Sequence, residues 1–155
     1  MTNPQINQNL LNKAYFYLSF RMRTISEMCE YLQKKASQIS LGNQEVEGVV
    51  TYLIQEKLLN DNEFIKSFIS DRNLNKQKGV NLLKAELRSK GIAQRDIDNY
   101  FNSFPQDEVS LARSALLSRT GQWYMLNDAG RNKKKQQFLK NRGFCYDVIK
   151  SAIEE

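Results

Sequence analysis

The residues of this sequence best suited to chemistry are its lysines and arginines, which can bind an anionic partner. There are 23 of them against 17 aspartates and glutamates, for a net charge of +6, and the surplus grows toward the C-terminus. Such a surplus favours phosphates or an acidic protein surface as the partner. The cations that we expect to bind it lie on or beside three predicted helices: Arg21, Arg23, Arg72, Lys76, Lys78, Lys84, Arg88, Arg131, Lys133, Lys134, Lys135, Lys140 and Arg142.

Other kinds of site lack the residues that they need. The sequence has no His, and its two cysteines, Cys29 and Cys145, form no C-x-x-C motif, so a zinc site and most pairs of nucleophile and base lack their usual residues. Both cysteines fall at apolar helical positions, and we expect them to be buried thiols. No P-loop motif occurs. We therefore predict a protein that is not an enzyme, with no catalytic residue, no metal and no cofactor.

The distribution of apolar residues predicts neither a membrane segment nor a signal peptide. The longest apolar runs fall far short of the ~20 residues needed to cross a bilayer, and no charged segment followed by an apolar one opens the sequence. We accordingly expect a cytoplasmic protein that does not bind membranes.

Several of these residues have a second, structural interpretation. Each cation taken alone could be a solvated surface charge, in some cases paired with a glutamate. Four cations within residues 131–135 make that cluster the best individual candidate for binding. Trp123 and Tyr124 could stack on bases or anchor a partner, or they could fill a core. Gly79 could let the backbone approach a phosphate, or it could simply allow the chain to enter a helix.

A motif that recurs about every fifty residues organises the chain. Leu87 is followed by two spacers, Lys90, Gly91 and an apolar residue; the same order begins 52 residues later at Leu139, and a weaker copy begins 55 residues earlier at Leu32. No stretch alternates with period two, so the sequence predicts an all-α tandem array of three three-helix repeats, nine helices in total, elongated and curved. We place a flexible N-terminal tail at residues 1–9 and the repeats at residues 10–59, 60–104 and 105–155.

Local patterns predict how the helices of these repeats begin and end. Val80, Leu83 and Leu87 share one helical face, and Gly91 follows them in a position typical of a left-handed helix end. Residues 24–27 have the form of a capping box. In the third repeat the positions of Val80 and Leu83 are taken by polar residues, Asn132 and Lys135, which indicates a displaced helix or a shifted register within residues 119–137.

Four blocks of the sequence resemble the RecX family, the bacterial regulators of the RecA recombinase. They are residues 21–28 followed by Leu32, residues 59–64 with Arg72, residues 78–92, and residues 139–149. Each block alone is weakly specific, but their order and spacing together are specific and cover roughly residues 10–153. The sequence departs from the family's pattern at Ile65, where Ala is usual, and at Ala36, where Gly is usual.

The resemblance implies a negative regulator of RecA that has no catalysis of its own. Members of the family are arrays of three-helix repeats that bind RecA and its filament on single-stranded DNA along the filament groove. Binding suppresses ATP hydrolysis, strand exchange and the co-protease activity of the SOS response. The implied partners are RecA and single-stranded DNA, the latter bound weakly and in a salt-dependent way, and we expect a monomer.

Two other classes of function remain open from the residues alone. A helix-turn-helix-like DNA-binding protein would recognise a defined duplex site, with each mismatched base pair costing ~1–3 kcal/mol. A helical-repeat scaffolding protein would bind its partner with little dependence on salt. Contacts to nucleic acid, by contrast, weaken steeply as salt rises.

Overall fold

The computed structural model describes residues 6–154, and within that range the chain forms nine α-helices and no β-strand. The predicted all-α class and number of helices are therefore confirmed for the described residues. A short 3-10 helix, Thr120–Gln122, lies between the seventh and eighth α-helices. The helices are α1 Gln8–Leu18, α2 Ile25–Gln38, α3 Asn43–Gln55, α4 Asp61–Asn75, α5 Val80–Ser89, α6 Gln94–Ser103, α7 Glu108–Leu117, α8 Asp128–Asn141 and α9 Tyr146–Ile153.

The first helix begins earlier than the sequence pattern predicts. Asn7 accepts a hydrogen bond from the backbone N–H of Leu10 at 3.0 Å, and this cap starts α1 at Gln8. Gln8 and Asn9 are thus helical, although we expected them in a flexible tail, while residues 1–5 lie outside the described residues. The three predicted repeat boundaries stay a prediction.

The chain divides into two compact units, each with its own apolar core. The first unit runs to Ile65 and also includes Ser89–Ala93. Its core joins α1, α2 and α3, whose apolar residues recur at helical spacing and therefore face one another. The buried residues of this core are Leu10, Leu11, Ala14, Met28, Leu32, Ala36, Val46, Val49, Val50, Leu53 and Leu59.

The second unit comprises Lys66–Arg88 and the chain from Gln94 onward. On α5, Leu83 and Leu87 are fully buried as the helical face predicts, while Val80 is half-buried. A core cluster joins α7, α8 and α9 through small and branched side chains. Its buried members are Ala112, Ala115, Leu116, Leu139, Phe144, Ile149 and Ala152.

The third repeat keeps its register but lengthens its middle helix. Leu139 is as fully buried as Leu87, so residues 119–137 contain no shift that reaches the repeated motif. Helix α8 begins about one turn earlier than the repeat pattern places it, because the Asn127 side chain accepts a hydrogen bond from the N–H of Gly130 at 2.8 Å. Asn132 is exposed, and Trp123 packs on this core with its ring centroid 5.8 Å from that of Phe138.

The start of α2 is completed by residues from far along the chain; we call this arrangement the first joint. The predicted capping box is confirmed, since Thr24 Oγ1 accepts from the N–H of Glu27 at 3.0 Å. The same hydroxyl donates to the carbonyl oxygen of Lys90 at 2.7 Å. The N–H of Ile25 donates to the Asp61 carboxylate at 2.9 Å. Helix α2 thus begins against the end of α5 and the first residue of α4.

A second joint of the same design lies at the start of α5. The N–H of Gly79 donates to the carbonyl oxygen of Arg142 at 2.8 Å, and the N–H of Val80 donates to the Glu108 carboxylate at 2.8 Å. Gly79 and Arg142 stand 55 and 52 residues after Thr24 and Lys90, respectively. The two joints are therefore equivalent in the repeat, with a backbone N–H replacing the hydroxyl donor.

Two glycines with positive φ allow the joints to close. Gly91 has φ of +89°, and a Cβ built on it would collide with the side chain of Ser26. Gly143 has φ of +84°, and a Cβ there would collide with Leu82. An L side chain at either position is disfavoured both by the left-handed backbone and by the close approach.

We predict that Gly91→Ala destabilises the protein. The left-handed conformation alone costs about 1–2 kcal/mol for a residue with a Cβ, and the collision with Ser26 adds to that cost. Gly48→Ala is the matched control, because a Cβ at Gly48, inside α3, meets nothing within 4 Å. We expect the control to stabilise the protein by about 0.5–1 kcal/mol. Urea unfolding of both variants measures the difference, and equal free energies of unfolding would contradict the assignment.

We also predict that Thr24→Val weakens the first joint. Thr24 is 0% exposed, and the substitution would leave its two hydrogen-bonding partners unsatisfied in a buried place. The expected loss in the free energy of unfolding is about 1–3 kcal/mol. Thr24→Ser keeps the hydroxyl and should retain most of the stability. A Val variant as stable as the wild type would contradict the role of the hydroxyl.

Candidate partner-binding surface

Arg21 and Arg23, the two predicted cations before α2, both contact other residues of the first unit. The Arg21 guanidinium forms an ion pair with the Glu27 carboxylate. The Arg23 guanidinium lies 3.7 Å from the ring centroid of Tyr17, and its Nε donates to the Tyr17 carbonyl at 3.1 Å. Burial acts to raise the pKa of Glu27, but the hydrogen bonds from Arg21 and from the N–H of Thr24, together with the positive charges of Arg21 and Lys90, hold the pKa below its ordinary value. These two cations therefore stabilise the entry to α2.

In the second repeat a glutamate gathers two of the predicted cations. Glu86 on α5 forms ion pairs with Lys78 and, at 3.4 Å, with Arg72. The Lys78 side chain is only 16% exposed, and the Arg72 guanidinium also lies 4.5 Å from the ring centroid of Phe68. Both cations are thus engaged within the fold and offer little charge to a partner.

The outer face of α5 is linked to α6 by two more of the predicted cations. Lys84 forms an ion pair with Asp98 at 3.0 Å, and Arg88 donates to the side-chain oxygen of Gln94 at 2.7 Å. Hydrogen bonds from Lys84 and Gln94 lower the pKa of Asp98. Lys76, in the connection before α5, is exposed and forms no ion pair with any described residue.

The predicted cations of the third repeat are more available. Arg131 pairs with Asp128 at 2.9 Å. The side chains of Lys133, Lys134 and Lys140 extend from α8, where these residues are exposed, and form no ion pair or hydrogen bond with any of residues 6–154. The four cations of residues 131–135 lie close together on α8, and Lys135 is half-buried.

Arg142 is the exception in this repeat because it belongs to the second joint. Its guanidinium donates to the Gln77 carbonyl at 3.0 Å and lies 4.8 Å from the ring centroid of Phe138. Burial, with the nearby charge of Arg119, lowers the pKa of Arg142. Its role in the structure is to hold the connection before α5.

The structure shows the surroundings of Gly79, Trp123 and Tyr124, the three residues for which the sequence allows two interpretations. The backbone of Gly143 fills the space in front of Gly79, so that glycine serves the joint rather than the approach of a phosphate. Trp123 is half-buried against the core of the second unit, whereas Tyr124 is 70% exposed. The Cys145 thiol is exposed, so the prediction of a buried thiol is wrong there; Cys145 precedes the first turn of α9 as its N-cap residue.

A groove between α8 and α9 brings two predicted cations together with one that the sequence analysis missed. Lys133 and Lys140 line it, and so does Lys150 on α9. The repeat could have identified Lys150, because it stands 52 residues after Asp98 and reverses the charge there. Among residues 6–154 no group of three or more His, Cys, Asp or Glu could hold a metal ion, and no helix has the length and apolar character to cross a bilayer.

Comparison with a family model and with curated proteins gives matches that all carry the name RecX. The family model described as "RecX, second three-helix domain" matches residues 60–100, which extend from the start of α4 into α6. Regulatory protein RecX of Streptococcus uberis is 30% identical over 142 residues, covering 91% of this chain and 53% of the relative. The Streptococcus pneumoniae protein of that name is 31% identical over 146 residues, covering 93% and 54%.

The fold is also that of a solved RecX structure. RecX from Lactobacillus salivarius superposes with a TM-score of 0.76 at 22% identity, covering 94% of this chain and 93% of the other. The curated relatives carry the name of a regulatory protein, and this chain spans about half of their length. The matched family model and these relatives make the chain similar to the RecX family, and its fold is that of a RecX structure.

Proposed function

We propose that this protein is a negative regulator of the RecA recombinase. It binds RecA and its filament on single-stranded DNA along the filament groove, and suppresses ATP hydrolysis, strand exchange and SOS co-protease activity. The observation that carries this proposal is the similarity to proteins named regulatory protein RecX over more than nine-tenths of the chain. The activity is one of binding, since a regulator of this kind needs complementary surfaces rather than catalytic groups.

Some of the predicted cations form side-chain ion pairs or hydrogen bonds within the fold, and we call them engaged; others are exposed and form neither with the described residues, and we call them available. This difference supports a specific surface for contact with the filament. The engaged cations, such as Arg21, Lys78 and Lys84, stabilise the helices on which they lie. The available ones are Lys76, Lys133, Lys134 and Lys140, and three of these four are on α8. We assign the main contact with the filament to α8, where a charge can reach a phosphate or a carboxylate without first breaking an ion pair.

The contact with DNA makes this proposal distinguishable from the alternatives. Each phosphate neutralised by a lysine releases counterions, so binding of single-stranded DNA should fall steeply with salt, with a slope of about −0.7 per contact. A scaffolding protein would show little salt dependence. A sequence-reading protein would prefer one duplex site over others of equal length.

The proposed function predicts an effect on ATP hydrolysis by the cognate RecA on single-stranded DNA. Titrating this protein from far below equimolar upward should inhibit hydrolysis, because each bound copy affects a filament of many subunits. Inhibition at substoichiometric levels would indicate capping or disassembly rather than competition for DNA. If a folded sample changes neither hydrolysis nor filament length, the proposal is wrong.

A further prediction concerns the basic cluster of α8, the four cations within residues 131–135. Reversing its four cations to glutamate should raise the concentration needed for half-inhibition about tenfold or more, which corresponds to ~1.4 kcal/mol. The fold should survive, because Lys133 and Lys134 are exposed. The substitutions are Arg131→Glu, Lys133→Glu, Lys134→Glu and Lys135→Glu.

A matched control reverses four cations on or beside other helices, namely Lys34, Lys57, Lys66 and Arg95, all of which are exposed. It changes the net charge equally, so it separates a local contact from the field of the whole protein. Circular dichroism verifies folding of both variants. Equal inhibition by the cluster variant and the wild type would remove the cluster from the mechanism, and an equal loss in the control would show a general charge effect.

A further inference from the structure

The groove between α8 and α9 combines an apolar floor with a basic rim. Its volume is about 750 Å³. Phe144 and Ile149 form part of the floor, and Lys133, Lys140 and Lys150 line it from both helices. Glu154 is the one acidic side chain among the lining residues, and it lies 3.9 Å from Lys150, which remains 59% exposed.

The corresponding groove of the second repeat shows what is missing here. Between α5 and α6, Lys84 reaches Asp98 at 3.0 Å and its ammonium lies 5.6 Å from the Phe101 ring centroid. Arg88 spans the same two helices through its hydrogen bond to Gln94. In the second repeat, polar side chains of the protein therefore bridge the two helices.

The third repeat replaces each of these bridging residues. At the positions 52 residues later stand Gln136 for Lys84, Lys150 for Asp98, Lys140 for Arg88 and Tyr146 for Gln94. The carboxylate has become an ammonium, so the two helices carry like charges across the groove. The fifth residue of the last helix in the three repeats is Glu47, Asp98 and Lys150 in turn, and only the third is cationic.

We propose that the α8–α9 groove binds an acidic amphipathic helix of a partner protein. Carboxylates on the flanks of such a helix would supply the negative charge that Asp98 supplies in the second repeat, and its apolar side chains would cover Phe144, Ile149 and Ile153. A helix laid in a hydrophobic groove is a recurrent mode of peptide recognition. Tyr146, 74% exposed at the groove, is of a residue type that often anchors an interface.

The floor favours a helix over a nucleic acid strand. Single-stranded nucleic acid binds to surfaces that offer aromatic rings on which successive bases stack. Here the floor is formed by Ile149, Ile153 and Phe144, whose ring is only 4% exposed, and Tyr146 is the only strongly exposed ring among the lining residues. Apolar side chains of a peptide gain more from such a floor than bases do, because burial of apolar surface is the main favourable contribution.

The inference deepens the proposed function, since Lys133 and Lys140 belong to the cations assigned to the filament, and it rests on that function for the identity of the partner. It can be tested without RecA. If the protein binds the peptide but does not inhibit RecA, the proposed regulatory function is wrong and the proposed groove stands. If it inhibits RecA but does not bind the peptide, the proposed groove is wrong and the regulatory function stands.

The probe is a synthetic helical peptide of about five turns, roughly 18 residues. Leucines at i, i+3, i+4 and i+7 form its apolar face and glutamates flank that face. A second peptide carries lysine in place of every glutamate, and a thymidine oligonucleotide of similar length is the third probe. Each is labelled with fluorescein, and binding to the full chain is followed by fluorescence anisotropy.

We expect the glutamate peptide to bind and the lysine peptide to bind at least tenfold more weakly. Lys150→Asp recreates the charge of the second repeat and should weaken binding of the glutamate peptide about tenfold, or ~1.4 kcal/mol. Lys66→Glu is the matched control, because Lys66 is exposed on α4, lies outside the proposed contact surface and is not among the lining residues, and the change in charge is the same. The control should alter affinity by less than about twofold, or ~0.4 kcal/mol.

Three results would overturn the proposal. One is no binding of the glutamate peptide up to about 1 mM, an affinity of ~4 kcal/mol. Another is an equal loss in Lys150→Asp and Lys66→Glu, which would show attraction by net charge alone. The third is tight binding of the oligonucleotide that Lys150→Asp abolishes while the peptide is unaffected, which would assign the groove to nucleic acid.

Discussion

The backbone donors at the start of an α-helix are the constraint on which this fold depends. The first N–H groups of a helix have no partner within it, and a buried one must find an acceptor elsewhere. In α2 and α5 that acceptor is a carboxylate from the first turn of the next repeat, Asp61 for Ile25 and Glu108 for Val80. Since a carboxylate also interacts favourably with the positive end of the helix dipole, one residue meets both needs. Neither middle helix is complete without residues at least 28 positions away, so the repeats should fold cooperatively rather than singly.

The same constraint explains which parts of the structure the sequence could predict. The capping box at Thr24 is local, and so is the left-handed glycine that ends a helix, so both follow from short patterns. The carboxylate caps do not follow from short patterns, because nothing near Asp61 in the sequence indicates that it accepts a hydrogen bond from Ile25, 36 residues upstream. The exposed position of Cys145 was missed for a similar reason: as the N-cap of α9 it precedes the helix whose apolar spacing it seemed to continue. The start of α8 was displaced from the repeat because Asn127 supplies its own cap one turn earlier.

The sequence does not show which of the predicted cations are available to a partner, because the number of cations in a region does not tell how many of them form ion pairs within the fold. Lys78 and Lys133 look alike in the sequence, yet Lys78 is held by Glu86 and Lys133 extends from α8 without an ion pair among the described residues. An ion pair at such a site gains modest energy, but it fixes the side chain and cancels its charge for any partner. Availability therefore depends on where the acidic residues fall, which periodicity alone does not show.

The replacement of two carboxylates accounts for the difference between the second and third repeats. Glu86 and Asp98 hold three cations in the second repeat; 52 residues later stand Phe138 and Lys150. Phe138 still gathers cations, with Arg119 and Arg142 at 5.3 and 4.8 Å from its ring centroid, but a ring holds a cation without neutralising it. The third repeat thus keeps packing that the second repeat obtains from ion pairs, while the charges of Lys133, Lys134 and Lys140 stay unbalanced by any ion pair among the described residues. A carboxylate or phosphate that restored this balance would have to come from another molecule, and α8 and α9 are where it would bind.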